Sequence, residues 1–172
     1  QTSRAIKHYK KALEINPKLA VGHYNLANLL VEKANIKDAI QHYQKAVKYK
    51  PDYSQAWRNL ASLFTKQGKL QMALDCYNEA IRIIPNDIIA HGKKGLILAQ
   101  LNKIDDAIKQ FAIVLKARPN DKEMHYNIAV LLELTGNTEK AAGHYHKALQ
   151  IDPDYQKARQ RLQLLTIKQK EK

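Results

Sequence analysis

Prolines stand at positions 17, 51, 85, 119 and 153, each 34 residues after the last, and the chain contains five in all. Proline cannot continue a helix, so this spacing cuts the chain into equal segments with a stop at the end of each. Self-similarity at such a period marks a stacked array of one supersecondary unit. Residues 54–87 show the unit. Trp57, Leu60, Ala61 and Phe64 fall at the i, i+3, i+4, i+7 spacing of one helix face. Gly68 interrupts that stripe, and a second runs through Leu70, Ala73, Leu74, Tyr77, Ala80 and Ile81 before Pro85. The pattern predicts two amphipathic helices joined by a tight turn. Such a pair cannot bury both apolar faces alone, so it requires neighbours.

The remaining segments repeat this chemistry place by place. A small residue opens the second stripe at Ala5, Ala39, Ala73, Ala107 and Ala141, and an aromatic follows four places later at Tyr9, Tyr43, Tyr77, Phe111 and Tyr145. The next small position holds Ala12, Ala46, Ala80 and Ala148, with Val114 as the larger exception. The Trp-x2-Leu-Ala-x2-Phe opening, the Ala-x3-Tyr pair and the closing proline resemble the tetratricopeptide repeat family. The resemblance implies an all-α solenoid of stacked antiparallel helix pairs, curled into a right-handed superhelix with the first helices on its concave face. Repeats are expected at 20–53, 54–87, 88–121 and 122–155. Residues 1–19 then form a lone second helix, and residues 156–172 a capping helix through Ala158, Leu162, Leu165 and Ile167. The chain opens at Gln1 inside a repeat, so the missing first helix and any targeting signal are expected upstream, with the half repeat's apolar face partly uncovered. Repeat 88–121 departs most, because Lys94 stands where the others have Leu26, Leu60 and Ile128. An unpaired buried ammonium is costly. The lysine stem is therefore expected along apolar surface with its amine in water, or the helix is slightly rotated.

A net charge of +13 raises the question of nucleic acid. Residues 1–19 carry five basic residues against one acidic, and residues 156–172 carry six against one, which leaves +4 for the four repeats. The excess sits at the two ends instead of along a continuous stripe, which argues against a nucleic-acid partner. Apolar runs are too short for a membrane span. Cys76 is the single cysteine, so no internal disulfide exists. That suits a reducing compartment and a cytoplasmic location is expected.

The expected trough is lined by first-helix residues outside the packing stripe. These are Tyr24, Asn25 and Asn28 in the first repeat and Arg58, Asn59, Ser62 and Lys66 in the second. Lys93 and Leu96 follow in the third, then Tyr126, Asn127 and Val130 in the fourth. Among lining charges, Arg58, Lys66 and Lys93 balance Glu32, Glu123 and Glu133, with the positive ones in the middle repeats. An anionic or C-terminal group held centrally fits better than a polyanion along the whole length. Asn25, Asn59 and Asn127 hold one repeat position, with Lys93 on the remaining rung. An amide side chain donates and accepts at once, so a row of them can pair an extended peptide backbone. A comparable asparagine ladder is found in the repeat domain of the O-GlcNAc transferases. Asn28, Asn59 and Lys93 also match polar places of the co-chaperone carboxylate clamp, which grips acidic C-terminal tails. Tyr24 and Ile89 stand where that clamp has lysines.

Other signals point away from chemistry. His23, His91 and His125 recur at one position, with Trp57 as the fourth member. Helix axes stand roughly 8–10 Å apart, so equivalent side chains of different repeats do not share a metal, and these rings read as packing residues. No phosphate-cradling glycine loop and no catalytic constellation is present, so neither metal nor cofactor is expected. The expected function is a non-catalytic scaffold binding an extended segment or helix of a protein partner. Two rivals are a targeting module of a larger enzyme and a self-assembling unit joined through the uncovered terminal helix.

Overall fold

The computed structural model describes residues 2–170. Its helices are α1 (Thr2–Ile15), α2 (Ala20–Glu32), α3 (Ile36–Tyr49), α4 (Ser54–Lys66), α5 (Leu70–Ile83), α6 (Ile88–Gln100), α7 (Ile104–Ala117), α8 (Lys122–Leu134), α9 (Thr138–Ile151) and α10 (Gln156–Lys170). No strand occurs among the described residues, so the chain is an all-α helical repeat. Two compact units are formed, Gln1–Ala90 and His91–Lys172, with the boundary inside α6.

In the first unit α2 pairs with α3, α4 pairs with α5, and α1 lies against α2. Of the predicted positions, Leu26, Ala39, Tyr43, Ala46, Leu60, Ala61, Phe64, Ala73, Tyr77 and Ala80 are buried in its core, and Ala27 joins them. The alanines bring paired helices close enough for the tyrosine rings to fill the space between them. No residue of α1 is buried, and Ile15 at its end is largely exposed. In the second unit α8 pairs with α9, and α10 lies against α9. Ala158 and Leu165 of α10 are buried against Ala129, Ala141, Tyr145 and Ala148. Of the expected capping stripe, Leu162 is partly buried there while Ile167 is exposed.

Each first helix ends the same way. Residues 34, 68, 102 and 136 adopt left-handed backbone, with φ of 58° at Ala34, 71° at Gly68, 57° at Asn102 and 78° at Gly136. The following N–H reaches five residues back: Asn35 to Leu30 O, Lys69 to Phe64 O, Lys103 to Leu98 O and Asn137 to Leu132 O. This closure satisfies carbonyls that the helix end would otherwise leave open. It also reverses the chain for the antiparallel partner. The repeat proline is fastened as well. Its carbonyl accepts from the side chain six residues on, as Pro17 from His23, Pro51 from Trp57 and Pro119 from His125, at 2.9, 2.9 and 3.0 Å. Arg159 does the same for Pro153. At Pro17, Pro51 and Pro119 the recurring ring position therefore does more than pack: it ties the inter-repeat loop to the next first helix with an N–H donor.

Repeat 88–121 departs from the others in sequence at a second position. Gly95 stands where Ala27, Ala61 and Ala129 stand elsewhere, and a Cβ there would lie 2.5 Å from Cε1 of Phe111. The ring of Phe111 occupies the space an alanine methyl would need. Lys94 beside it is half-buried.

Candidate functional site

Buried hydroxyls require partners, and this requirement organises the polar residues of the first unit. The hydroxyl of Tyr43, on α3, points between α2 and α4 and donates to Oδ1 of Asn28. Nδ2 of Asn59 approaches the same oxygen at 3.2 Å, the Tyr43 hydroxyl at 3.3 Å and the Tyr24 hydroxyl at 3.5 Å. Burial pushes the Tyr43 phenol up to about 12, so it stays a neutral donor. The network fixes both amides. Asn28 spends its oxygen inward, and Asn59 spends its nitrogen inward. What remains is the Nδ2 donor of Asn28 and the Oδ1 acceptor of Asn59, neither partnered among the described residues. Asn28, Asn59, Ser62 and Lys66 share a cleft of about 230 Å³ with Val31, Tyr43 and Leu63. The Tyr24 ring is held against Tyr53 and Tyr43, with centroids at 4.8 and 5.9 Å. Asn25 is half-buried and outside this network.

Two lining charges are not available to a ligand in the manner expected from sequence. Arg58 forms an ion pair with Asp87 at 3.0 Å, and the Asp87 carboxylate also accepts from the N–H groups of Ile89 and Ala90. Arg58 thus secures the start of α6. Glu133 is turned inward, accepting from the Tyr145 hydroxyl at 2.8 Å and facing Arg161 of α10 at 3.5 Å. Removing one charge of each sign leaves Lys66 and Lys93 against Glu32 and Glu123, all four exposed. Lys66 makes no ion pair among the described residues.

In the second unit Tyr126 repeats the setting of Tyr24, with ring centroids 5.9 Å from Tyr145 and 5.5 Å from Tyr155. Asn127 and Val130 are half-buried beside it, while Lys93 and Leu96 are exposed on α6. Asn127 takes part in no side-chain network of the kind that holds Asn59. The three equivalent asparagines therefore do not present equivalent amides.

Tyr43 and Asp87 organise this face, although spacing marks Tyr43 only as a core aromatic and does not mark Asp87 at all. A phenol that must be buried and a nearby amide to receive it was the available signal. A buried phenol is also satisfied in the second unit, where the Tyr145 hydroxyl donates to Glu133, twelve residues back, while Phe111 has no hydroxyl and Ala99 stands at that place. Cys76 is buried, and burial pushes its thiol up to about 12, so it is an inert packing residue. Among the described residues no group of three metal-ligating side chains occurs, and no helix is long and apolar enough to cross a membrane.

Comparison with known proteins agrees with this architecture. A tetratricopeptide repeat family model matches residues 24–88 and 93–156, and a TPR repeat model matches residues 1–34. Among solved structures the chain is similar to YrrB, a TPR protein with an unusual peptide-binding site. The identity is 30%, the match covers 91% of this chain and 81% of that one, and the TM-score is 0.84. MamA shares the fold at 24% identity, covering 88% and 89% of the two chains with a TM-score of 0.81. A tetratricopeptide repeat protein from Parabacteroides merdae does so at 20% identity, covering 96% and 66% with a TM-score of 0.83. No curated protein matches the sequence. The 34-residue period, the helix pairs and their alanine–tyrosine cores, and the match over most of its length show that the chain belongs to the tetratricopeptide repeat family.

Proposed function

We propose that this protein is a non-catalytic interaction scaffold that binds an extended peptide segment of a partner protein on the face carrying Asn28, Asn59, Ser62 and Lys66. One observation carries the reading. Tyr43 orients two neighbouring amides so that one offers a donor and the other an acceptor, which is the complement of a peptide group. The orientation is fixed before any ligand arrives, so little rotamer freedom is lost on binding. Lys66 at the edge of the cleft favours a segment with an acidic side chain or a terminal carboxylate nearby. In this reading Arg58 positions the face through Asp87, and Tyr24 supplies an apolar wall. YrrB, 30% identical and a TPR protein with an unusual peptide-binding site, supports this use of the fold. In the second unit Lys93, Leu96, Tyr126, Asn127 and Val130 offer the corresponding surface.

The test is selection of a binding peptide from a displayed random library, followed by affinity measurements with variants. Ser62→Ala combined with Lys66→Glu is expected to weaken the selected peptide at least tenfold, about 1.4 kcal/mol, with helical content unchanged. Equal affinity for the variant and the unaltered protein would place the binding face elsewhere.

A further inference from the structure

Nineteen residues after each recurring ring position, on the second helix of the same repeat, stand His42, Cys76, Gln110 and His144. In two repeats both members are imidazoles. Nδ1 of His23 lies 2.8 Å from Nδ1 of His42, and Nδ1 of His125 lies 3.0 Å from Nδ1 of His144. The ring centroids are 5.1 and 5.3 Å apart. Those separations leave room for a ring radius on either side only if the two nitrogens face head-on. Head-on is the arrangement of one proton between two lone pairs. A metal bound to both nitrogens at about 2 Å would need them about 4 Å apart in line, or rings turned so that their lone pairs converge.

The tautomers follow from the outer bonds. Nε2 of His23 and of His125 approach the carbonyls of Pro17 and Pro119 at 2.9 and 3.0 Å. A carbonyl only accepts, so those nitrogens carry the hydrogen, and Nδ1 of each neutral ring is the bare acceptor. His42 and His144 must therefore donate from Nδ1, which leaves their lone pair on Nε2.

We propose that each imidazole pair is a one-proton latch between the first and second helix of its repeat, accepting one added proton and parting on the second. The first proton goes to Nε2 of His42 or His144, and the Nδ1–H···Nδ1 bond survives with charge assistance. A second must go to Nδ1 of His23 or His125. Two N–H groups then point at each other between two cations, and the helices can relieve that clash only by separating. Around the first pair, Lys45 of α3 and Lys10 of α1 oppose added charge, Asp38 of α3 favours it, and Tyr49 stacks on His23. Around the second, Lys147 opposes it. Burial acts in the same direction, bringing His42 down to about 4 and holding His23 and His144 below the ordinary value. Imidazoles of the unfolded chain titrate near 6.5. The stabilisation is therefore complete above that pH, weakens as pH falls toward about 4, where His42 takes the first proton, and is lost when the second proton follows.

Repeat 88–121 carries its own control, because Gln110 Oε1 lies 2.7 Å from His91 Nδ1. A primary amide can turn over to donate or accept, so protonation of its partner creates no clash. His42→Gln with His144→Gln should then keep the neutral-pH fold and remove the latch.

Two measurements test this. Ring-nitrogen NMR of the unaltered protein at pH 7.5 is expected to show His42 and His144 as Nδ1–H tautomers and His23 and His125 as Nε2–H. Acid unfolding followed by circular dichroism is expected to move its midpoint at least about half a pH unit lower in the double glutamine variant. An Nε2–H tautomer at His42 and His144, or an unshifted midpoint, would overturn the proposal. Should the variant fail to fold, the tautomers of the unaltered protein decide alone.

Discussion

The four left-handed turn residues show what one side chain costs. Gly68 and Gly136 take positive φ freely, Asn102 tolerates it, and Ala34 bears the steric contact of Cβ with its own backbone. Ala34→Gly is expected to leave the structure unchanged and raise stability by up to about 1 kcal/mol, read as a higher urea midpoint. Gly95 is the opposite case. Its backbone is helical, yet the Phe111 ring sits where a Cβ would go. Gly95→Ala must displace that ring and is expected to cost about 1–3 kcal/mol. Gly95→Ala combined with Phe111→Leu should recover part of the loss, and additive losses in denaturant melts would contradict this account. The phenols obey the same local bookkeeping. Tyr145→Phe leaves Glu133 to Arg161 alone and is expected to cost about 1–3 kcal/mol.

At the level of elements, most interest lies where one helix hands over to the next. Asp87 serves both α4 and α6: it accepts the first free N–H groups of α6 and pairs with Arg58 of α4. Asp87→Asn keeps an N-cap acceptor and loses the ion pair, while Asp87→Ala loses both. Thermal melts should therefore rank the alanine variant below the asparagine variant, with the alanine loss at about 1–3 kcal/mol. An identical loss for both would make the cap irrelevant and the ion pair the whole effect. At the other end, α10 is held by the buried Ala158 and Leu165. Leu165→Ala is expected to cost about 2–5 kcal/mol and to raise amide exchange first in α10 and α9.

For the molecule as a whole, stability in a repeat array sums local units and their interfaces, so these losses should register in the unit that contains them. How much of this was legible beforehand varies by kind of feature. The proline period, the helix pairs and the buried alanine and tyrosine positions all followed from spacing, because helix periodicity is written in residues a few places apart. Lys94 marked repeat 88–121 as different in sequence, and the structure adds that Gly95 beside it makes room for the Phe111 ring. The candidate face was placed by resemblance, and its chemistry was not. Arg58 and Glu133 were counted as free charges, and no sequence spacing reveals that Asp87 and Arg161 neutralise them. By itself, then, the sequence determined a stacked array of helical hairpins, since each hairpin's apolar stripes leave it no stable alternative. Only the tertiary structure decided which polar groups meet: Asn59 with Asn28, Arg58 with Asp87, His23 with His42. Those partners lie 31, 29 and 19 residues apart, and a hydrogen bond forms or fails within a few tenths of an ångström, a distance set by how the helices pack and by nothing local to either residue.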